Sequence, residues 1–151
     1  VPDGMTAAWS CPFDPDVLLL VLDKEHTTSE NIRHTKKFVV ALPCEEQKKT
    51  ALDLGSVHGR DVGNKLQIKD VKTEKSQKFG LDVMSGALAY FECELQDEKL
   101  FEEKGICLSK VVNVYVKDDC WDDKEECFNP GIKRTLHHVA GSTFCSGGDL
   151  V

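Results

Sequence analysis

The apolar run Val17-Leu18-Leu19-Leu20-Val21-Leu22 constrains the fold of this chain more than any other segment. It is preceded by Asp14-Pro15-Asp16 and followed by charged residues, so it has the length of a strand and is too short for a typical helix. An uninterrupted apolar run of this kind is typical of a strand that is buried on both faces. We therefore predict a buried strand here, as in the wall of a barrel.

Three further segments are rich in residues that favour strands. Lys37–Leu42 is stopped by Pro43, and two longer candidates lie at 87–95 and 106–116. The tail at 135–151 predicts a short strand, a glycine-containing turn and a final strand. Many strands with few short helices point to a mainly β fold, an all-β barrel with helical insertions.

The predicted helices are short. Residues 28–34 form the first candidate, with a hydroxyl near its start as N-cap and Glu30 favourably placed in the first turn. A second candidate covers 45–54 and ends at Gly55. The polar stretch 56–78 predicts a loop with a short helical piece at 61–66, and its length indicates a functional surface.

Composition excludes several classes of function. The formal net charge is −7, which argues against nucleic acid as the main partner because phosphate binding needs clustered Lys and Arg. No apolar run approaches the roughly 20 residues that span a bilayer, so no membrane partner is expected. The chain has 7 cysteines and no Cys-x-x-Cys pair. An odd number without paired spacing favours reduced thiols and a cytoplasmic protein.

The segment Met5-Thr6-Ala7-Ala8-Trp9-Ser10-Cys11 has the residue types of a strand that contacts a flat ring. Small residues let the backbone approach such a ring closely, and hydroxyls can meet its polar edge. Pro12-Phe13-Asp14-Pro15 follows as a turn. The segment therefore indicates a ligand-binding strand and turn at the start of the chain.

The order of the motifs resembles the flavin reductase-like, FMN-binding split-barrel family, which includes the flavoredoxins. The segments that carry this resemblance are the strand motif and its turn, Thr28-Ser29-Glu30-Asn31-Ile32, Phe38-Val39-Val40-Ala41-Leu42-Pro43, the loop 56–65 with Gly59-Arg60-Asp61-Val62 and Lys65, residues 88–93, and His138-Val139-Ala140-Gly141. The resemblance implies a single split β-barrel domain over residues 1–151 that lacks the family's first N-terminal strand.

The resemblance also implies FMN as cofactor. The residues expected to bind it are Met5, Thr6, Ala7, Ala8, Trp9, Ser10, Cys11, His26, Thr27, Thr28, Arg60 and Lys65. The isoalloxazine would lie along residues 6–11, and the phosphate at the helix start, where unpaired N–H groups and a positive dipole end favour anions. Alternatives stay open for several of these residues. Trp9 can be a core anchor, Thr27 or Thr28 a helix cap, and Arg60 and Lys65 solvent-exposed loop charges.

The implied function is an NAD(P)H-dependent flavin reductase that works as a homodimer. One alternative is a flavoredoxin-type electron carrier with bound FMN and a protein redox partner, and another is a flavin-binding or ligand-binding module without turnover. No catalytic residue is predicted, because hydride or electron transfer is the cofactor's own chemistry. No metal site is predicted either, since Cys120, Cys127, His137 and His138 lack paired zinc-ligand spacing.

Overall fold

Five strands form the central antiparallel sheet of the computed structural model, which describes residues 7–11, 14–68 and 71–149. In spatial order they are β1 (Ala7–Cys11), β2 (Asp14–Val21), β7 (Ile106–Val116), β6 (Ala89–Leu95) and β3 (Lys37–Leu42). Strands β1 and β3 are therefore the two edges of the sheet. The predicted mainly β class is confirmed.

Six further strands form three separate hairpins. These are β4 (Thr73–Lys75) with β5 (Asp82–Met84), β8 (Trp121–Asp122) with β9 (Cys127–Phe128), and β10 (Leu136–Ala140) with β11 (Thr143–Ser146). The helices are α1 (Thr27–Thr35), α2 (Lys48–Gly55), α3 (Gly59–Val62), α4 (Lys65–Ile68) and α5 (Glu98–Lys104). Across the described ranges, the strands form an open sheet and hairpins and do not close into a barrel.

The prediction that the first apolar run is buried on both faces is wrong. In β2, Leu18 and Leu20 are buried, whereas Val21 is 54% exposed. The buried pair packs with Ile32 of α1 and Phe101 of α5 in the main hydrophobic cluster. The two helices therefore cover one face of the sheet at β2 and leave the other face partly open.

Helix α5 lies in a charged stretch for which the sequence predicted no helix. Asp97 is its N-cap, and the carboxylate accepts a hydrogen bond of 2.8 Å from the backbone N–H of Leu100. Gly105 ends the helix with a positive φ of 71°, and its N–H donates to the carbonyl of Phe101. Phe101 is fully buried, which explains why this short helix is stable on the sheet.

Helix α1 begins one residue earlier than predicted and has a different N-cap. The N-cap is His26, and its side chain makes no capping hydrogen bond. The hydroxyl of Ser29 donates instead to the carbonyl of Asp23, at 2.6 Å. The predicted hydroxyl N-cap is therefore wrong, because the helix already begins at Thr27 and the N-cap position is occupied by His26.

The predicted helices after Pro43 are present with shifted ends. A 3-10 turn at Glu45–Gln47 leads into α2, which ends at Gly55, and the helical piece predicted at 61–66 is divided between α3 and α4. Helix α2 and the start of α3 are separated by the connection 56–58. This connection brings α3 back toward α1.

The cysteines that the structure describes beyond β1 are free thiols, as predicted. Burial raises the pKa of Cys93 to about 11 and that of Cys107 to about 12, so both stay protonated near neutral pH. They pack in the main core as small apolar residues. No helix in the described ranges is long and apolar enough to cross a bilayer.

Candidate functional site

The start of α1 presents two hydroxyls that lack partners. The Oγ1 atoms of Thr27 and Thr28 are buried, and neither has a hydrogen-bond partner among the residues that the structure describes. Buried hydroxyls are normally satisfied, since an unpaired polar atom in the interior is destabilising. The first N–H groups of a helix also lack partners within the helix and carry partial positive charge. Together these groups form an arrangement that an anionic ligand would complete.

The segment 58–60 packs directly against this helix start. A Cβ atom built on Gly59 would lie 3.3 Å from Cγ2 of Thr27 and 3.6 Å from Cε of Lys65. Gly59 is buried, so the absence of a side chain is what permits this close approach. The predicted site residues Thr27 and Lys65 therefore both lie next to Gly59.

Arg60 lies beside α1, and its charge is already paired there. Its Nη2 atom donates to the carbonyl of Glu25 and lies 2.9 Å from Oε1 of Glu30. Both side chains are about half exposed, so the pair contributes little to stability. Its geometric effect is to tie the segment that carries Arg60 to the first turn of α1.

Lys65, the first residue of α4, is fully buried. Its Nζ atom donates to the carbonyl of Leu54, the penultimate residue of α2, at 3.1 Å. The alternative of a solvent-exposed loop charge is therefore wrong for Lys65. A buried ammonium that binds the last turn of α2 holds α2 and α4 together beneath Gly59.

Two histidines flank the start of α1. His26 is its N-cap residue and is exposed, and His58 precedes Gly59 and is exposed as well. The ring centroids are 6.2 Å apart, and the planes are tilted by 55°. The sequence suggested His26 for this site but not His58, which comes close only because α3 folds back onto α1.

Strand β1 carries five of the remaining predicted residues at the edge of the sheet. The structure places the backbone of Ala7, Ala8, Trp9, Ser10 and Cys11 along β1, and Met5 and Thr6 lie outside the described residues. Ala7 pairs with Val21, the last residue of β2, so the beginning of β1 lies at the sheet end from which the chain turns into α1. The outer edge of β1 has no strand partner in the described part of the chain.

The geometry thus combines two kinds of binding surface at one end of the sheet. The start of α1 offers N–H groups and hydroxyls for an anion, and β1 offers an open backbone edge with donors and acceptors. A ligand with a flat polar ring at one end and a phosphate at the other matches this combination. No group of three metal-ligating side chains is present among the described residues.

Comparison with known proteins identifies a family that covers most of the chain. The flavin reductase like domain family matches residues 1–136. The uncharacterized protein YddH of Escherichia coli (strain K12) is 30% identical over 151 residues, which cover 97% of this chain and 79% of that protein.

Solved structures show the same fold. An FMN-binding domain of a flavin reductases-like enzyme from Shewanella baltica is 25% identical and superposes with a TM-score of 0.85, covering 97% of this chain and 77% of that one. The flavoredoxin of Desulfovibrio vulgaris is 14% identical with a TM-score of 0.77, covering 95% and 76%. The NADH:FAD oxidoreductase SgcE6 of Streptomyces globisporus is 17% identical with a TM-score of 0.69, covering 93% and 74%. The chain therefore belongs to the flavin reductase-like family.

Proposed function

We propose that the protein binds FMN at the end of the sheet formed by β1 and the start of α1, and that it works as an NAD(P)H-dependent flavin reductase. The observation that carries the proposal is the pair of buried, unpartnered hydroxyls of Thr27 and Thr28 at the positive end of α1. The structural neighbour from Shewanella baltica is an FMN-binding domain at 25% identity, which supports flavin as the ligand.

The phosphate end of FMN fits the start of α1. Phosphate oxygens accept hydrogen bonds strongly, and the two hydroxyls and the first N–H groups of the helix are donors without acceptors among the described residues. The Arg60–Glu30 pair lies at the same turn and holds the 58–60 segment in place. Thr27 and Thr28 would therefore act as direct phosphate ligands and Arg60 as a residue that positions the site.

The ring end of FMN fits the edge of β1. An exposed strand edge carries a row of backbone N–H and C=O groups, and these match the alternating donors and acceptors of an isoalloxazine. When bound, FMN supplies the redox chemistry by accepting a hydride from a reduced nicotinamide and passing electrons onward. The protein's task is to hold the ring at the edge of β1 with one face accessible.

A reductase is favoured over an electron carrier by one of the fold relatives, an NADH:FAD oxidoreductase. The flavoredoxin relative supports the second candidate, an electron carrier. In that case FMN stays bound and a protein donates the electrons. The net charge of −7 suits a basic redox partner in that case. The two candidates differ in one measurable property, which is reduction by NADH or NADPH.

Absorbance spectroscopy of the FMN-reconstituted protein tests the proposal. The protein is passed through gel filtration and then treated without oxygen, first with NADH and, in a separate sample, with NADPH. We expect the flavin bands to elute with the protein and to bleach with one of the two nucleotides. Bands that bleach only with dithionite would support the carrier instead. Failure to retain any flavin would contradict FMN binding itself.

Replacing Thr27 and Thr28 by valine should separate ligand binding from stability. Valine has the shape of threonine without the hydroxyl, and the hydroxyls have no partner in the described part of the protein. We expect each variant to bind FMN about 10- to 150-fold more weakly, since a hydrogen bond to a charged group contributes about 1.5–3 kcal/mol. The melting temperature without FMN should stay equal or rise, because an unsatisfied buried hydroxyl has been removed. Thr35→Val, at the other end of α1, is the matched control.

The Thr35 hydroxyl makes a hydrogen bond of 2.8 Å to the carbonyl of Asn31. Its loss should leave FMN affinity unchanged. Isothermal titration of the three variants with FMN, together with thermal melts, provides both readouts. Unchanged FMN affinity in Thr27→Val and Thr28→Val would place the phosphate elsewhere.

We also propose a homodimer in which a second copy covers the β10–β11 hairpin. The hairpin is joined to the rest of the chain mainly near its base. There the Leu136 N–H donates to the carbonyl of Pro43, and Thr135 forms an isolated antiparallel β-bridge with Cys44. An isolated two-stranded hairpin is only marginally stable in water. Val139 on this hairpin is 60% exposed, which supports a protein surface that is covered in the assembly.

A charge at Val139 should therefore weaken the dimer. We expect Val139→Glu to shift the protein toward the monomer in sedimentation velocity, because a carboxylate buried at an interface is strongly unfavourable. Ser142→Glu, in the exposed turn of the same hairpin, is the control and should leave the mass unchanged. A monomeric wild-type protein, or equal effects of both variants, would contradict this interface.

A further inference from the structure

A small cavity of about 110 Å³ lies beside the base of the β10–β11 hairpin. It is lined by Phe128 and Pro130, by residues 133–135, and by Gly147 and Gly148. Thr135 is bridged to Cys44, just beyond the end of β3, whereas α1 follows the end of β2. Because β2 and β3 run in opposite directions within the sheet, the two strands finish at opposite ends of it. The cavity is therefore separate from the proposed flavin site.

Arg134, in the wall of this cavity, binds a carboxylate of the chain itself. Its Nη2 atom donates to Oδ1 of Asp149, and its Nη1 atom donates to the carbonyl of Gly147, at 2.9 Å. The Asp149 side chain is 83% exposed, so this ion pair contributes little to stability. The guanidinium therefore offers a position that suits a carboxylate, and its present occupant is easily exchanged.

The backbone around Arg134 is fixed on both sides of the cavity. The Arg134 carbonyl accepts a hydrogen bond of 2.9 Å from the N–H of Glu45, and the Gly147 N–H donates to the carbonyl of Thr135, also at 2.9 Å. A Cβ atom built on Gly147 would lie 2.7 Å from Oγ1 of Thr135, so the missing side chain permits this close approach. The carbonyl that Nη1 binds is thus held in a set position relative to Arg134, which pre-organises the guanidinium.

An apolar surface and a second cation complete the lining. Phe128 packs edge-on against Trp121, with ring centroids 5.2 Å apart and planes at 84°, and this contact orients the Phe128 ring. Pro130 adds a rigid apolar surface next to it. Lys133 is paired with Glu46 at 3.1 Å, and the hydrogen bond to that carboxylate raises the pKa of Lys133, so its ammonium stays charged. The lining therefore combines positive charge with apolar groups.

These features define the class of ligand that the cavity can take. A carboxylate suits Arg134, and an apolar ring suits the surface of Phe128 and Pro130. A volume of about 110 Å³ is well below the roughly 300–1,000 Å³ of pockets that hold drug-sized ligands, so the ligand is small.

We propose that the cavity binds a small aromatic carboxylate, which displaces Asp149 from Arg134 and places its ring against Phe128. Asp149 acts as an internal competitor that lowers the affinity for this ligand. The site lies at the end of the sheet away from β1 and the start of α1, so it does not rest on the binding of FMN.

Titration of the full chain with benzoate, followed by the NMR signals of the backbone amides, tests this inference. We expect the amide signals of the cavity wall to shift and to give a Kd. Asp149→Asn should bind benzoate about two- to fivefold more tightly, because a weak ion pair that competes with the ligand has been removed. Asp123→Asn removes the same charge from an exposed position between β8 and β9, so it is the matched control and should leave the Kd unchanged.

Two related compounds test the two parts of the ligand. Benzamide keeps the ring without the negative charge, and acetate keeps the carboxylate without the ring. We expect each to bind at least about tenfold more weakly than benzoate. Arg134→Gln should weaken benzoate binding at least about tenfold as well, and a thermal melt of this variant checks that it is folded.

Several results would overturn the inference. Equal gains in Asp149→Asn and Asp123→Asn would show a general effect of charge, and equal binding of benzoate and benzamide would show that the carboxylate is not recognised. Absence of benzoate binding to the wild type and to Asp149→Asn would exclude the site, and shifts confined to β1 and the start of α1 would place benzoate at the flavin site instead. FMN retention in gel filtration is measured independently of benzoate, so failure of this inference and failure of the proposed function are distinguishable.

Discussion

Replacing Gly105 by alanine is expected to lower the free energy of unfolding by about 3 kcal/mol. Gly105 has a φ of +71°, and a Cβ atom at this position would lie 2.5 Å from the backbone carbonyl oxygen of Leu22. That oxygen belongs to a residue whose own N–H donates to the carbonyl of Gly105, at 2.9 Å. Alanine therefore adds the strain of the left-handed region and also forces apart a backbone contact between α5 and the end of β2.

Gly80→Ala is the matched control for this change. Gly80 has a φ of +65°, and a Cβ atom added there would meet no atom within 4 Å, so alanine introduces the backbone strain alone. We expect Gly80→Ala to cost about 1 kcal/mol and Gly105→Ala about three times as much. For a domain of this size the Gly105 variant should melt about 10 °C lower, measured by circular dichroism. Equal melting temperatures of the two variants would show that the chain relaxes around the Leu22 contact.

The strands of the central sheet could be predicted from local composition. Strand β7 begins and ends where the β-rich run at 106–116 predicted it, and β3 coincides with its predicted range. Runs of apolar and β-branched residues with clear boundaries are the strongest signal that a sequence carries for strands. Such a run does not specify which elements pack on each face of the strand. For this reason the burial of β2 was predicted incorrectly. The two faces differ because α1 and α5 pack on one of them.

Helix α5 was not predicted because most of its residues are charged and it lacks an apolar periodicity. Its sequence, Glu98-Lys99-Leu100-Phe101-Glu102-Glu103-Lys104, has a single fully buried side chain, Phe101. The usable signals were at the ends, where Asp97 caps the start and Gly105 terminates the helix. The sequence signal for α5 is therefore in its capping residues and not in an apolar periodicity.

The sequence predicted individual residues of the candidate site but not the contacts between them. The sequence indicated the α1 start and the loop residues Arg60 and Lys65. It contained no local signal that Arg60 would pair with Glu30, or that Lys65 would be buried against Leu54. The proximity of the two histidines likewise follows from the return of α3 onto α1 and from the missing side chain at Gly59. Contacts between residues about 30 positions apart depend on the tertiary fold, and residue types alone do not specify them.

Substitution of Glu92 is expected to cause the second large loss of stability. Glu92 is a fully buried carboxylate that holds a turn onto the sheet. Its oxygens accept hydrogen bonds from the backbone N–H groups of Lys78, at 2.9 and 3.0 Å, and of Phe79, at 2.8 Å. Asn113, its cross-strand partner on β7, donates from Nδ2 at 2.7 Å. Since the turn at 76–80 connects β4 to β5, Glu92 fixes that hairpin to β6.

Glu92→Gln is expected to destabilise the protein by about 3 kcal/mol. An amide has one acceptor oxygen in place of two, and its NH₂ group would face backbone donors that then have no acceptor. The control is Glu94→Gln on the same strand, whose ion pair with Lys37 is exposed and 3.8 Å long. That change should alter stability by less than about 1 kcal/mol. Urea unfolding of the two variants gives the comparison.

Hydrogen exchange locates the effect of Glu92→Gln within the molecule. The amides of Lys78 and Phe79 donate directly to the carboxylate, so they should exchange faster in the variant than their neighbours on β6. A uniform loss of protection across the sheet would indicate a general weakening of the fold and would contradict the specific role of Glu92 in the turn.

The contribution of Glu92 should also depend on pH. Burial raises the pKa of this carboxyl, but the hydrogen bonds that it accepts, foremost from Asn113, outweigh burial and hold the pKa below its usual value. The unfolded chain therefore binds a proton at higher pH than the folded one. The stabilisation is fully present above about pH 5 and is lost as the pH falls through the unfolded and then the folded pKa. The difference in melting temperature between wild type and Glu92→Gln should thus shrink from pH 7 to pH 3, and a constant difference would contradict an ionised Glu92 in the native protein.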